Sequence, residues 1–73
     1  MSPSLPVVSG HEVVRALAKV GFSEVSQRGS HLKLRSQEGR TVIVPMHREL
    51  ARGTLRSILR QADLTVEAFI DLL

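Results

Sequence analysis

Hydrophobic residues near the start of the chain recur at helical spacing. The apolar positions lie at i, i+4 and i+7, with one more beside them: Val13, Leu17, Val20 and Val14. Ser9 precedes this run and Glu12 follows three residues later, which is the spacing of a capping box. Gly21 suits the left-handed end of a helix. The pattern predicts a first helix over residues 10–20, after an extended, proline-containing lead-in over residues 1–8.

The middle of the chain alternates between apolar and polar residues instead. In the run 31–35 two leucines alternate with three nitrogen-bearing side chains, His31, Lys33 and Arg35. Residues 22–28 predict a preceding strand that ends at a Gly-Ser turn, and the β-branched run 40–44, ended by Pro45, predicts a following one. We expect an antiparallel meander whose central strand has a cationic outer face.

Helical spacing returns after a polar loop. Gly53 and Thr54 open a second helix with four inward residues, Leu55, Ile58, Leu59 and Ala62. Asp63 ends it, and Thr65 begins a short third helix with four more, Val66, Phe69, Ile70 and Leu73. The order α-β-β-β-α-α predicts an α+β domain over residues 1–73, similar to a double-stranded-RNA-binding domain, with a three-stranded antiparallel sheet and helices on one face.

Composition narrows the class of protein. A chain of 73 residues has room for one domain, and 42% hydrophobic residues are enough for a thin core. There is no cysteine, which excludes disulfides and thiolate metal sites. The N-terminus lacks the basic and apolar regions of a signal peptide, and no apolar stretch approaches a membrane span. We therefore expect a cytoplasmic protein, monomeric when free, with no membrane association.

The positive charge is concentrated in the middle of the chain. Between Arg28 and Arg60 there are eight lysine and arginine residues against two acidic ones, Glu38 and Glu49. The last thirteen residues carry only acidic charge, on Asp63, Glu67 and Asp71. A basic block of this kind attracts the phosphates of RNA or DNA, although it also suits a solvated surface that keeps a protein soluble.

Among the three histidines, His31 is the best candidate for chemistry. His11, in the first turn of the first helix, is most simply a surface residue, and His47 lies in a polar loop where it could contact a phosphate. His31 starts a strand after a tight turn, and the side chains that flank it or share its face are basic: Arg28, Lys33 and Arg35.

A histidine among basic residues suits RNA cleavage without a metal ion. The 2′-hydroxyl of RNA can attack the adjacent phosphorus if a general acid or base moves the proton and cations stabilise the developing charge. No Gly-rich phosphate loop with Lys or helical pair of histidines is present, so no metal or cofactor is expected. Phe22 and Phe69 suit the core, which leaves no aromatic platform for bases.

Several stretches together resemble a known family. They are Ser9-Gly10, Gly21-Phe22 and residues 27–31, 44–47 and 52–62. In these stretches the chain looks like the HicA (YcfA-like) toxins, the mRNA interferases of type II HicA–HicB toxin–antitoxin pairs. The family usually has glycine where this chain has Asp63, a difference that affects the helix end more than activity.

The resemblance implies a double-stranded-RNA-binding-like fold, an mRNA substrate and a HicB-like antitoxin that covers the active face. It also implies that cleavage depends on the histidine of the Gly-Ser-His motif, here His31. Gly29 would permit the turn and Ser30 would orient the histidine or a phosphate, though plain turn chemistry explains both as well. The residues expected to contact RNA are Arg28, Gly29, Ser30, Lys33, Arg35, His47 and Arg56.

Two other functions fit the same residues. One is an RNA-binding module without catalytic activity, which would bind RNA in a salt-dependent way and leave it intact. The other is a protein-interaction domain whose basic face binds only an acidic partner. Cleavage of RNA by the purified protein separates the ribonuclease from both.

Overall fold

The computed structural model describes residues 4–73. The first three residues of the expected lead-in, which include Pro3, lie outside the described residues. The elements are α1 (Gly10–Ala18), β1 (Ser23–Arg28), β2 (His31–Arg35), β3 (Thr41–Pro45), α2 (Arg52–Ala62) and α3 (Val66–Leu72). The predicted α+β class and the order α-β-β-β-α-α are confirmed.

The three strands form an antiparallel sheet in the order β1-β2-β3. His31 begins the central strand and pairs with Arg28 on one side and Pro45 on the other. The pairing of β1 with β2 is interrupted by a bulge between Glu24 and Ser26. The helices pack against one face of the sheet, as predicted, and leave the other face open.

The core lies between the covered face of the sheet and the helices. Alternate residues of β2 and β3 meet the apolar stripes of the helices, and the largest fully buried side chains are Phe69, Leu17, Leu34, Leu55, Ile58, Val13, Val42 and Val44. All six residues of β1 are exposed, because β1 is an edge strand that the helices do not cover. Both phenylalanines are buried, as expected.

Helix α1 begins as predicted and ends earlier. Its capping box is present: the Glu12 N–H donates to Ser9 Oγ at 3.1 Å, and the Ser9 N–H donates to Glu12 Oε1 at 2.9 Å. The helix ends at Ala18, and Gly21 follows with φ of 93°, in the turn that ends the helix. The inward position predicted for Val20 is wrong, since it lies past the helix end and is 42% exposed.

The last two helices also differ in detail from the prediction. Helix α2 begins at Arg52, one residue earlier than expected, with Ala51 as a cap that makes no side-chain hydrogen bond. In α3 only Phe69 is fully buried, and Ile70 and Leu73, predicted to face inward, are exposed. Ile70 lies about 100° around the helix from Phe69, and Leu73 lies beyond the end of α3.

Asp63 ends α2 in the left-handed conformation, with φ of 59°. Its side chain forms an exposed ion pair with Arg40, at 3.4 Å between Oδ2 and Nη2. We expect Asp63→Gly to raise the free energy of unfolding by about 0.5 kcal/mol, because the relief of left-handed strain exceeds the small contribution of an exposed ion pair. Urea denaturation measures the change, and Arg40→Gln isolates the ion pair. A variant less stable than wild type would contradict the prediction.

Candidate active site on the open sheet face

The face of the sheet opposite the helices is mostly polar. Because paired residues of neighbouring strands point to the same side, the strand register assigns nine residues to this open face: Ser23, Ser26, Arg28, His31, Lys33, Arg35, Thr41, Ile43 and Pro45. The alternation in β2 that buries Leu32 and Leu34 presents His31, Lys33 and Arg35 here, as the sequence predicts.

One end of the open face contains a depression of about 350 Å³. It is lined by Ser26, Arg28, His31, Lys33 and Ile43, and we call it the basic depression. Its residues come from all three strands, with His31 and Lys33 on the central one. The structure therefore brings together three of the predicted site residues, the imidazole of His31 and the cations of Arg28 and Lys33.

The hairpin turn before His31 fixes the position of this residue at the start of β2. Gly29 has φ of 57°, and a glycine with positive φ at the first central position is typical of a type II′ turn. The Gln27 amide donates from Nε2 to the Gly29 carbonyl at 3.0 Å. On the other side, the Met46 N–H donates to the Ser30 carbonyl at 2.6 Å. The turn is thus tied to β1 through Gln27 and to the loop after β3 through Met46.

The loop after β3 is held between this turn and helix α1. The Gly10 N–H donates to the His47 carbonyl at 2.9 Å, next to the Met46 contact with Ser30. Gly10 is required by this close approach, because a Cβ there would lie 2.9 Å from Met46 Cα and closer still to the Pro45 carbonyl oxygen. The His47 side chain is exposed and is not part of the lining of the basic depression.

Two predicted RNA contacts lie apart from the basic depression. Arg35 is at the far end of β2, where its Nε donates to Thr41 Oγ1 at 3.5 Å. Arg56 is on α2, in the layer of helices, and lines a separate depression between α2 and α3 that also contains Arg60. Arg35 still shares the open face with His31, as predicted. Arg56 does not, because α2 packs against the opposite face of the sheet.

Two residues of the basic depression are absent from the sequence-based set. Ile43 could have been found, because in the alternation of β3 it must face away from the buried Val42 and Val44. Ser26 could also have been found, because it lies two residues before Arg28 and pairs with Lys33 on the turn side of the bulge.

No carboxylate of the described residues pairs with a cation of the open face. Across residues 4–73 the one ion pair joins Arg40 to Asp63, away from the basic depression. Arg28 and Lys33 therefore present unneutralised charge beside His31. In the described part of the chain, no group of three or more histidine and acidic side chains is placed to hold a metal ion. No helix among residues 4–73 is long and apolar enough to cross a membrane.

Comparison with known proteins identifies the family. Residues 10–64 match the family model for the HicA toxin of bacterial toxin–antitoxin systems. A chain of a toxin–antitoxin complex from Streptococcus pneumoniae superposes with a TM-score of 0.69 at 33% identity, over 78% of this chain and 98% of that one. No curated protein matches. With the matched fold and three quarters of its length within the family model, the chain belongs to the HicA toxin family.

Proposed function

We propose that this protein is an endoribonuclease toxin that cuts mRNA without a metal ion, with His31 as the proton-transfer group. The observation that carries the proposal is the basic depression, where one imidazole lies with two unneutralised cations on an otherwise open sheet face. General acid–base catalysis beside fixed positive charge is what cleavage of an RNA phosphodiester requires.

The reaction uses the nucleophile that RNA itself carries. The 2′-oxygen forms a bond to the adjacent phosphorus and the bond from phosphorus to the 5′-oxygen breaks, which leaves a 2′,3′-cyclic phosphate and a 5′-hydroxyl. His31 accepts the proton of the 2′-hydroxyl or donates one to the departing 5′-oxygen, and water takes part in the other of these two proton transfers. Arg28 and Lys33 stabilise the negative charge that develops on the phosphoryl oxygens.

The proposal is tested by incubation of the purified protein with a defined RNA in excess EDTA. We expect fragments with 5′-hydroxyl ends, which polynucleotide kinase labels directly, and no fragments from the same sequence made as DNA. Cleavage that requires added Mg²⁺ would contradict the metal-free mechanism. If the RNA stays intact under both conditions, the result would contradict the ribonuclease and favour an RNA-binding module without catalytic activity.

The RNA-binding set from the sequence divides into two proposed contact regions. Arg28, Gly29, Ser30, Lys33 and Arg35 line or adjoin the open face, and we propose that they hold the substrate there. His47 and Arg56 would contact RNA only where it extends past the edge of the sheet or around the helices.

Removal of one open-face cation should reduce the salt dependence of RNA binding. Each phosphate contact contributes about 0.7 to the slope of log K against log salt for a single strand. We expect Lys33→Gln to lower the slope by about this amount while Arg15→Gln, an equal charge change on α1, leaves it unchanged. Fluorescence anisotropy over a salt series measures both slopes. An equal fall in both variants would show that net charge, and not the open face, governs binding.

We propose that the partner is a HicB-like antitoxin with an acidic surface that covers the open face. The similar chain from Streptococcus pneumoniae occurs in a toxin–antitoxin complex, and opposite charge would bring such a partner to the unneutralised cations. An antitoxin bound in this way would exclude RNA from His31. We place the protein in the cytoplasm, where its mRNA substrate is found.

A further inference from the structure

The basic depression has one apolar wall. Ile43 is 39% exposed on the face of the sheet that the helices leave open. It pairs with Lys33 across the strands and lines the depression with it. We infer that the depression is a subsite for one unpaired nucleotide, whose base packs against Ile43. This inference rests on the proposed ribonuclease function and adds which part of the RNA is recognised.

The chemistry of the depression changes from one side to the other. Arg28 and Ser26 are on β1, His31 and Lys33 are on β2, and Ile43 is on β3. Neighbouring strands are about 4.8 Å apart, so the apolar wall lies about 10 Å from the strand that carries Arg28. A nucleotide has the same arrangement, with a charged phosphate at one end and an apolar base face at the other.

The size of the depression restricts what it accepts. Its volume of about 350 Å³ is near the lower end of ligand pockets, which range from about 300 to 1,000 Å³. That is room for about one nucleotide, which is much less than a segment of duplex occupies. The Ser26 hydroxyl, at the polar side, can donate or accept a hydrogen bond.

The apolar wall allows this subsite to contact a base, which a protein that recognises only the shape of a duplex does not do. In an A-form duplex the base faces are stacked and the base edges are paired, so a protein reaches mainly phosphates and 2′-hydroxyls. A base can reach Ile43 only if it lies outside a helix. The subsite therefore selects a single-stranded or bulged nucleotide, even though the fold is similar to that of domains that bind duplex RNA.

Binding of an uncleavable RNA tests the subsite independently of catalysis. The probe is a fully 2′-O-methylated strand, alone and annealed to its complement, with affinity measured by fluorescence anisotropy. Contact of a base with an apolar side chain contributes less binding free energy than aromatic stacking does. We therefore expect Ile43→Ala and Ile43→Thr to weaken binding of the single strand about 5-fold. Duplex binding should not change.

The matched control is Val25→Ala, which truncates an aliphatic residue that is 49% exposed and lies outside the depression. We expect this variant to bind both probes as wild type does. Ile43→Thr retains the β-branched shape that suits a strand, and thermal unfolding checks that each variant is folded. Unchanged single-strand affinity in both Ile43 variants, or equal losses for single strand and duplex, would overturn the inference.

The two proposals fail in distinguishable ways. If wild type cuts unmodified RNA but the Ile43 variants bind the uncleavable strand normally, the ribonuclease stands and the nucleotide subsite is wrong. If the Ile43 variants lose single-strand affinity but wild type leaves unmodified RNA intact, the subsite stands and the catalytic proposal is wrong.

Discussion

Replacement of His31 by alanine is expected to reduce RNA cleavage by about 10²–10⁴-fold, the contribution of a general acid or base. The side chain lines the basic depression between Arg28 and Lys33, and no other histidine lines it. His31 is exposed and has no role in the core. Its removal should therefore change the free energy of unfolding by no more than about 0.5 kcal/mol. Initial rates of RNA cleavage and urea denaturation of the same preparation measure the two quantities.

Among the other two histidines, His11 is the control for this experiment and His47 tests for a second proton-transfer group. His11→Ala and His47→Ala remove the same side chain at exposed positions outside the basic depression. We expect His11→Ala to cleave RNA at the wild-type rate. A loss in His47→Ala as large as in His31→Ala would make His47 the second proton-transfer group. Wild-type cleavage by His31→Ala would refute the catalytic assignment.

Replacement of Gly10 by alanine should have the largest effect on stability of any single methyl addition considered. Gly10 is buried where α1 meets the loop after β3, and an added Cβ would meet backbone atoms of Pro45 and Met46. Backbone cannot rotate away as a side-chain tip can, so we expect a loss of about 3 kcal/mol, at the upper end for overpacking. A domain of this size has a total stability of roughly 4–11 kcal/mol.

Gly53→Ala is the matched control for Gly10→Ala. It adds the same methyl group at the start of α2, where nothing lies within 4 Å. Since alanine favours helix over glycine by about 1 kcal/mol, we expect Gly53→Ala to be as stable as wild type or more stable. Urea denaturation gives both values. Equal stability of the two variants would contradict the prediction, because it would show that the loop moves to accommodate the added methyl group at little cost in free energy.

Gly10 also connects stability to the candidate active site. Its N–H binds the His47 carbonyl, and the adjacent Met46 N–H binds the Ser30 carbonyl next to His31. A shift of the loop away from an alanine at position 10 would therefore move a contact that supports the hairpin turn. We expect that any folded fraction of Gly10→Ala cleaves RNA more slowly than wild type. The Ser9-Gly10 pair thus has a structural role beyond helix capping.

The parts of the fold that depend on near neighbours follow from the sequence. The capping box of Ser9 and Glu12 and the alternation of the run 31–35 are set by interactions within a few residues. The placement of Arg28 and Lys33 beside His31 also follows, because a two-residue turn determines which residues of a hairpin are paired. The catalytic candidate itself was identified from this local pattern and from the resemblance to HicA toxins.

The tertiary structure decided what depends on distant parts of the chain. Helical spacing does not show where a helix ends, so Val20 was predicted to be buried and is exposed. The bulge between Glu24 and Ser26 places Ser23, and not Glu24, opposite Arg35, and local alternation does not show this. Arg56 was expected to contact RNA together with residues of the sheet, but packing of α2 on the opposite face separates it from them. Periodicity shows which side of an element is apolar, and only packing determines which elements share a surface.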